Sequence, residues 1–227
     1  MKSAVLIPAM NEGPRIGSIL THVRTVFEGE IWVIDGGSSD DTAVQAQRLG
    51  ARVVPQQGRG YADALRTGYR SVLNSGVERV VQLDADGQHP PSAIPRLLQA
   101  LDSADLVMAS REGTGSPSSW DRRLGNAALA LLVRSSTGTV LRDVTSGFWA
   151  LNHRSLMLLS AHMSDHIADA NIRVLAARRG LQILELPVYM PDRDSGSSMH
   201  DGLAGLRHFW GSIAAVGSEL RRPIEGP

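Results

Sequence analysis

Arg79-Val80-Val81-Gln82-Leu83-Asp84-Ala85-Asp86-Gly87-Gln88-His89-Pro90-Pro91 sets two carboxylates directly behind a short apolar run. That run is β-rich and free of Gly and Pro, the mark of a strand, and the Pro-Pro pair stops whatever follows it. At the carboxyl end of a strand in an open α/β sheet, such side chains face the crevice in which ligands bind. Hard divalent cations take oxygen ligands, and Mg²⁺ is typically held by one or two carboxylates plus substrate phosphates. Asp84, Asp86 and the Gln88 amide therefore form a candidate half-site for Mg²⁺ or Mn²⁺, to be completed by a diphosphate. The same residues also suit a plain strand-end turn, because Asp and Gly favour turns for local reasons.

On the amino-terminal side the pattern repeats. Ala4 to Ile7 reads as a strand, followed by Asn11-Glu12 and a helix to about Phe27 with Ile16, Ile19, Leu20, Val23 and Val26 on one face. Ile31 to Ile34 is a second strand ending in Asp35-Gly36-Gly37-Ser38-Ser39-Asp40-Asp41-Thr42, and a helix then runs to about Leu49. Ala51 to Val54 is a third strand, and Gln57-Gly58-Arg59-Gly60 leads into a helix through about Leu73. Beyond the focal strand come a helix from Pro91 to Leu101 and a strand from Asp105 to Ala109. This β-α alternation with short connections predicts an α/β fold, a mostly parallel sheet with helices on both faces. Glu12, Asp35, Asp84 and Asp86 all follow strands and so fall at one edge of it.

After Ser110-Arg111 the pattern changes. Glu112 to Ser119 is a Gly/Ser/Pro-rich loop of the kind that is usually functional or mobile. A helix is expected from about Asp121 to Ser135 with Leu124, Ala127, Ala128, Leu131 and Leu132 as its apolar face. Asp143 to Leu151 reads as a turn into a strand, Ile167 to Arg179 as a helix and Leu181 to Val188 as a final strand. A last helix from Gly202 to Leu220 has Leu203, Leu206, Trp210, Ile213 and Leu220 along one stripe, suited to packing on the domain or to lying on a membrane surface.

Composition narrows the classes. The chain has 227 residues, no internal repeat and 42% apolar content, which suits one domain with a sizeable core. Lys+Arg and Asp+Glu both number 23, so no net field draws it to nucleic acid. Lys2 is the only lysine among the basic residues. There is no Cys, which excludes disulfides, thiolate metal ligands and Cys nucleophiles. Apolar runs are too short for a signal peptide or a spanning helix, so a cytoplasmic protein is expected.

Taken together, Pro8-x-x-Asn11-Glu12, Val33 to Thr42, Gly58-Arg59-Gly60 and Asp84 to Pro91 resemble family 2 glycosyltransferases of the GT-A fold. Ser110-Arg111, Trp120, Arg123, Asp143-x-Thr145-Ser146-Gly147-Phe148 and Arg193-x-x-Gly196-x-Ser198 point to the branch of dolichyl- or polyprenyl-phosphate sugar synthases. The resemblance covers about residues 3 to 200 and implies a single Rossmann-like GT-A domain over 1–227. In it about 1–110 would bind the nucleotide and about 111–227 the acceptor.

It further implies that Pro8, Glu12 and Asp35 hold the nucleoside of a UDP- or GDP-linked sugar, with Met10 where an aromatic usually lies beside the base. Arg59 and Ala85 fall within its substrate-binding motifs, as does Ser198. Asp84, Asp86 and Gln88 would hold Mg²⁺ or Mn²⁺ on the diphosphate, and Arg111, Arg123 and Arg193 would surround phosphates. Asp169 lies where the branch has a helix acid near the sugar, and it suits either a general base or a helix cap, with Asp143 the second candidate base. Gly36 replaces a second acid after Asp35, and Met199 replaces the Lys that ends the Arg-x-x-Gly-x-Ser pattern.

The implied reaction is inverting, metal-dependent sugar transfer to a polyprenyl phosphate or to a soluble hydroxyl acceptor, with peripheral membrane contact and a homodimer both compatible. Two alternatives use similar crevices. A nucleotidyltransferase should carry a Gly-rich, basic triphosphate loop after the first strand, a character that Pro8 to Gly13 lacks. A non-catalytic nucleotide-sugar-binding module would have no need of the acid pair or of Arg111.

Overall fold

The computed structural model describes residues 1–111, 113–116, 120–163, 170–191 and 202–223, without the side chains of 120–122 and 202–208. The elements run β1 (Ser3–Ala9), α1 (Gly13–Val26), β2 (Glu30–Asp35), α2 (Thr42–Arg48), β3 (Arg52–Pro55), α3 (Tyr61–Asn74), β4 (Arg79–Gln82) and α4 (Ile94–Ala100). A short 3₁₀ turn, Pro91–Ala93, leads into α4. Then come β5 (Leu106–Ser110), α5 (Trp120–Thr137), β6 (Trp149–Asn152), α6 (His153–His162), α7 (Ala170–Arg178), β7 (Ile183–Pro187) and α8 (Gly202–Arg221).

Seven strands form one sheet in the order β3-β2-β1-β4-β6-β5-β7. The pairs β1/β2, β1/β4, β2/β3 and β5/β7 are parallel, while β6 runs antiparallel to both β4 and β5. The sheet is thus mostly parallel, as the alternation implied. The chain does not step from β4 to β5, because β6 lies between them. This insertion shapes the site. Gln82 pairs with Trp149, so the start of β6 lies beside the end of β4. The turn that precedes β6 is thereby delivered to the edge carrying Asp84.

Alternation along each strand feeds two cores. Ala4, Leu6, Trp32, Ile34, Val80, Leu106, Met108, Trp149 and Leu151 face the larger helical layer, while Val5, Ile7, Ile31, Val33, Val81, Val107 and Ala150 face α1 and α4. α3 lies tight on the sheet: a Cβ at Gly68 would stand 2.7 Å from Leu6 Cδ2 and 3.1 Å from Ile34 Cγ1.

Three expectations need correction. On α5, Leu124 and Leu131 are 60% and 65% exposed, and Ala127 and Ala128 are exposed too. Leu132 packs at the core's margin as expected, but the buried stripe is Asn126, Leu129 and Val133, with Asn126 bound to the backbone of residues 142 and 144. On α8, Trp210 is 64% exposed, and Ser212, Val216 and Glu219 are buried instead, with Ile213 and Leu220 packed at the core's margin. Helix α6 was not expected at all. It begins at an N-cap in which Asn152 Oδ1 accepts from Ser155 N, and it buries Leu156 and Leu159.

Candidate active site at the carboxyl edge of the sheet

Because β1, β2 and β4 are parallel, the loops after them share one edge. Pro8 is buried opposite Ile34, beyond the last β4 partner of β1, where the sheet begins to open. Met10 is exposed, and Glu12 is half-buried and paired through Oε2 with Arg15 at 2.9 Å. The loop after β2 closes against them. Asp35 accepts from the Gly37 and Ser38 amides at 3.2 Å each, and Asn11 Oδ1 accepts from Ser39 N at 2.8 Å. Asn11 itself adopts φ 56°, an Asn-tolerant left-handed turn. Asp40 Oδ2 accepts from Gly13 N at 2.9 Å, and Glu12 N donates to Thr42 Oγ1 at 2.8 Å. The hydrogen bond from Thr42 is the main cause that lowers Asp40 below the ordinary carboxylate range. A Cβ at Gly36 would stand 3.1 Å from Met10 Cβ and 3.2 Å from Gln56 Oε1, tight enough that either neighbour would have to give.

After β4 the chain folds back on itself. Asp84 N donates to His89 Nδ1 at 2.9 Å, and Asp86 Oδ1 accepts from Gln88 N at 3.0 Å across Gly87 at φ 83°. Accepting at Nδ1 places the neutral ring's proton on Nε2, which lies 3.9 Å from Asp84 Oδ2. His89 also stacks on Phe148 with centroids 5.0 Å apart. Asp84, Asp86 and Gln88 are half-buried and Ala85 is buried, so the acids keep access to solvent at the crevice. Asp84 is gripped from below as well. Tyr61 donates its hydroxyl to Asp84 Oδ1 at 2.6 Å, and a Cβ at Gly147 would stand 2.7 Å from Asp84 Oδ2.

The turn before β6 completes the edge. Arg111 forks onto Asp143, with Nε to Oδ2 and NH2 to Oδ1 both 2.8 Å, and its NH2 also reaches Thr145 Oγ1 at 2.7 Å. Burial alone would raise the Asp143 pKa, but the Arg111 hydrogen bonds and charge override it and the net direction is down. Asp143 is 1% exposed. Asp143, the second candidate base, is thus sealed against Arg111 with both oxygens engaged, a setting that disfavours uptake of a substrate proton. Glu185 accepts from the Arg142 and Asp143 amides at 2.8 Å, and Asn126 Oδ1 accepts from Val144 N at 2.9 Å. The buried Arg173 donates to Ser146 O at 2.5 Å and lies over the Trp149 ring at 4.7 Å.

Arg59 and Arg123 are exposed, and Arg59 is fixed by its amide, which donates to Asp63 Oδ2 at 2.8 Å. Asp169, Arg193 and Ser198 lie outside the described residues. Sequence reasoning missed Tyr61, Gln82, Asn126 and Glu185, which position the site from inside the fold. Asn126 and Gln82 did leave a signal, each being a polar residue within an apolar pattern. At the opposite edge, a cleft of about 460 Å³ is lined by Lys2, Glu30 and Arg52, where Glu30 pairs with Lys2 at 3.0 Å and with Arg52 at 3.3 Å.

The donor set suits a hard cation bound jointly with a ligand. Among the described residues no three His, Asp or Glu side chains gather, so the acid pair is short of a complete protein cage. Nor, among them, is any helix long and apolar enough to cross a membrane.

Comparison with known proteins agrees with this geometry. An undecaprenyl-phosphate mannosyltransferase of Micrococcus luteus is 31% identical over 219 residues, covering 90% of each chain. A dolichyl-phosphate hexose transferase of Haloferax volcanii is 30% identical over 223 residues, covering 96% of this chain and 95% of the relative. The solved glucosyl-3-phosphoglycerate synthase of Mycobacterium tuberculosis with Mg²⁺ and UDP superposes with a TM-score of 0.71 at 25% identity, over 99% of this chain and 81% of that one. The sequence model of glycosyl transferase family 2 matches residues 4–159. With the carboxylates behind β4, the loops behind β1 and β2 at the same edge and that match in hand, this chain is a GT-A-fold enzyme that belongs to glycosyl transferase family 2.

Proposed function

We propose that this enzyme moves a sugar, with inversion, from a nucleotide-diphosphate sugar to a polyprenyl phosphate at a membrane surface. The observation behind this is that half-buried Asp84 and Asp86 and the Arg111–Asp143 fork stand at the same edge of the sheet. Two relatives similar over nine-tenths of both chains are named for undecaprenyl-phosphate and dolichyl-phosphate transfer, which supports the acceptor.

In this reading Pro8, Glu12 and Asp35 bind the nucleoside, and Asp84, Asp86 and Gln88 hold Mg²⁺ or Mn²⁺. The cation would neutralise charge on the departing diphosphate. Arg111 is held in place by Asp143 and Thr145, and a fixed guanidinium beside the turn before β6 would stabilise phosphate charge without reorganising. Arg123 and Arg193 add positive charge on the acceptor side. A phosphate acceptor arrives as an anion and needs no strong base. A hydroxyl acceptor would need one, and Asp169 is the residue proposed for it. Asp169→Asn would then cut the rate by about 10²–10⁴ with donor binding kept.

The test supplies radiolabelled UDP- and GDP-sugars with Mn²⁺ and a short polyprenyl phosphate. Label extracted into organic solvent supports the reading. Label that appears only on water-soluble phosphate or hydroxyl compounds replaces the lipid acceptor with a soluble one. No transfer from any nucleotide sugar refutes it.

A further inference from the structure

A chain of hydrogen bonds runs beneath the acid pair and ends on one of its members. Tyr69 donates its hydroxyl to Gln82 Oε1 in a short bond. Gln82 Nε2 donates to Tyr61 Oη at 3.0 Å and to Gly147 O at 3.1 Å. Tyr61 donates to Asp84 Oδ1 at 2.6 Å. Both Gln82 and Tyr69 are fully buried.

The direction of this chain is dictated. The Gln82 amide has two N–H donors and one oxygen, and all three are spent. Since it donates to Tyr61, the Tyr61 hydroxyl accepts on that side, and its single proton is left for Asp84. Satisfied buried networks of this kind are rigid, because turning any member away strands a polar group in a low-dielectric interior.

We propose that the Tyr61 hydroxyl is a positioning group for the cation site, holding the Asp84 carboxylate in a fixed orientation toward a divalent cation shared with Asp86 and the donor diphosphate. The proposal rests on the metal-dependent reading above. It differs from simple structural support, under which Tyr61 would serve only to satisfy Gln82. Partners that orient a metal ligand without touching the metal set its affinity by tens of fold.

Tyr61→Phe and Tyr69→Phe each delete one oxygen at opposite ends of the chain and keep the ring. Mn²⁺ is titrated into each folded protein at saturating UDP, with free Mn²⁺ read by its paramagnetic resonance signal and the melting temperature recorded alongside. The expected result is a Mn²⁺ affinity weakened about tenfold in Y61F and little changed in Y69F, although both lose melting temperature. Wild-type affinity in Y61F, or equal weakening in both variants, overturns the proposal. Gly147→Ala approaches the same bond from the far side, its Cβ 2.7 Å from Asp84 Oδ2 and 3.1 Å from the Tyr61 hydroxyl. It is expected to weaken Mn²⁺ as well, and a wild-type affinity there also overturns the proposal. Wild-type protein that takes up no Mn²⁺ with UDP present brings down the metal-dependent reading itself, which separates that failure from this one.

Discussion

Asp86 is half-buried and outside the packed core, so Asp86→Ala should remove the proposed cation ligand without removing core volume. The expected outcome is loss of measurable transfer with an unchanged unfolding midpoint in urea. Arg111 is different, because Asp143 beneath it is sealed. Arg111→Ala strands a buried carboxylate and should cost about 3 kcal/mol of stability as well as activity. Adding Asp143→Asn removes the stranded charge, so the double variant should regain part of that stability and none of the activity. Equal stabilities for the single and double variants would show that the fork is not what keeps Asp143 ionised.

Among the elements, α3 and the turn before β6 bear most of the site's geometry. Gly68→Ala drives a methyl against Leu6 and Ile34, and overpacking of this kind should cost about 1–3 kcal/mol in equilibrium unfolding. Asn152→Ala removes the cap of α6 and should cost about 1 kcal/mol. The sequence made β1 to β4 plain because each pairs an apolar run with a turn signal, and local chemistry sufficed. It placed Asp84, Asp86, Glu12 and Asp35 at one edge for the same reason. The position of β6 was not legible, since antiparallel insertion between β4 and β5 is decided by tertiary packing. The α5 face was misread because apolar counting favoured Leu124 and Leu131, whereas the helix turns Asn126 inward to satisfy backbone amides. Tyr61 was passed over because it opens a helix some twenty residues before the acid whose hydroxyl bond it makes, and only folding brings them together.

For the molecule as a whole, pH should act through two opposed groups of carboxyls. In Asp143, and in Asp105 with its Gln182, Asn152 and Arg154 partners, burial is outweighed and the folded pKa is lowered. Such groups stabilise the fold above their unfolded pKa, and that stability is lost as pH falls below about 4 through their folded values. Glu219 is raised by burial, against the pull of Arg222 and Arg178. It has the opposite sign, so its protonation adds stability as pH falls through its raised pKa. Urea unfolding should therefore show stability that holds or rises slightly on mild acidification and then drops steeply below about pH 4. Glu219→Gln should flatten the first part and leave the second.

The central claim is that the acid pair and the donor's diphosphate hold one cation between them. Its most direct measurement is calorimetric titration of UDP into wild-type and Asp86→Ala protein, each with Mn²⁺ and with chelator. Mn²⁺ is expected to tighten UDP binding at least about tenfold in the wild type, within the usual range of coupling between two bound ligands, and to have no effect in the variant. UDP binding that ignores Mn²⁺ in the wild type, or that responds to it equally in Asp86→Ala, would contradict it.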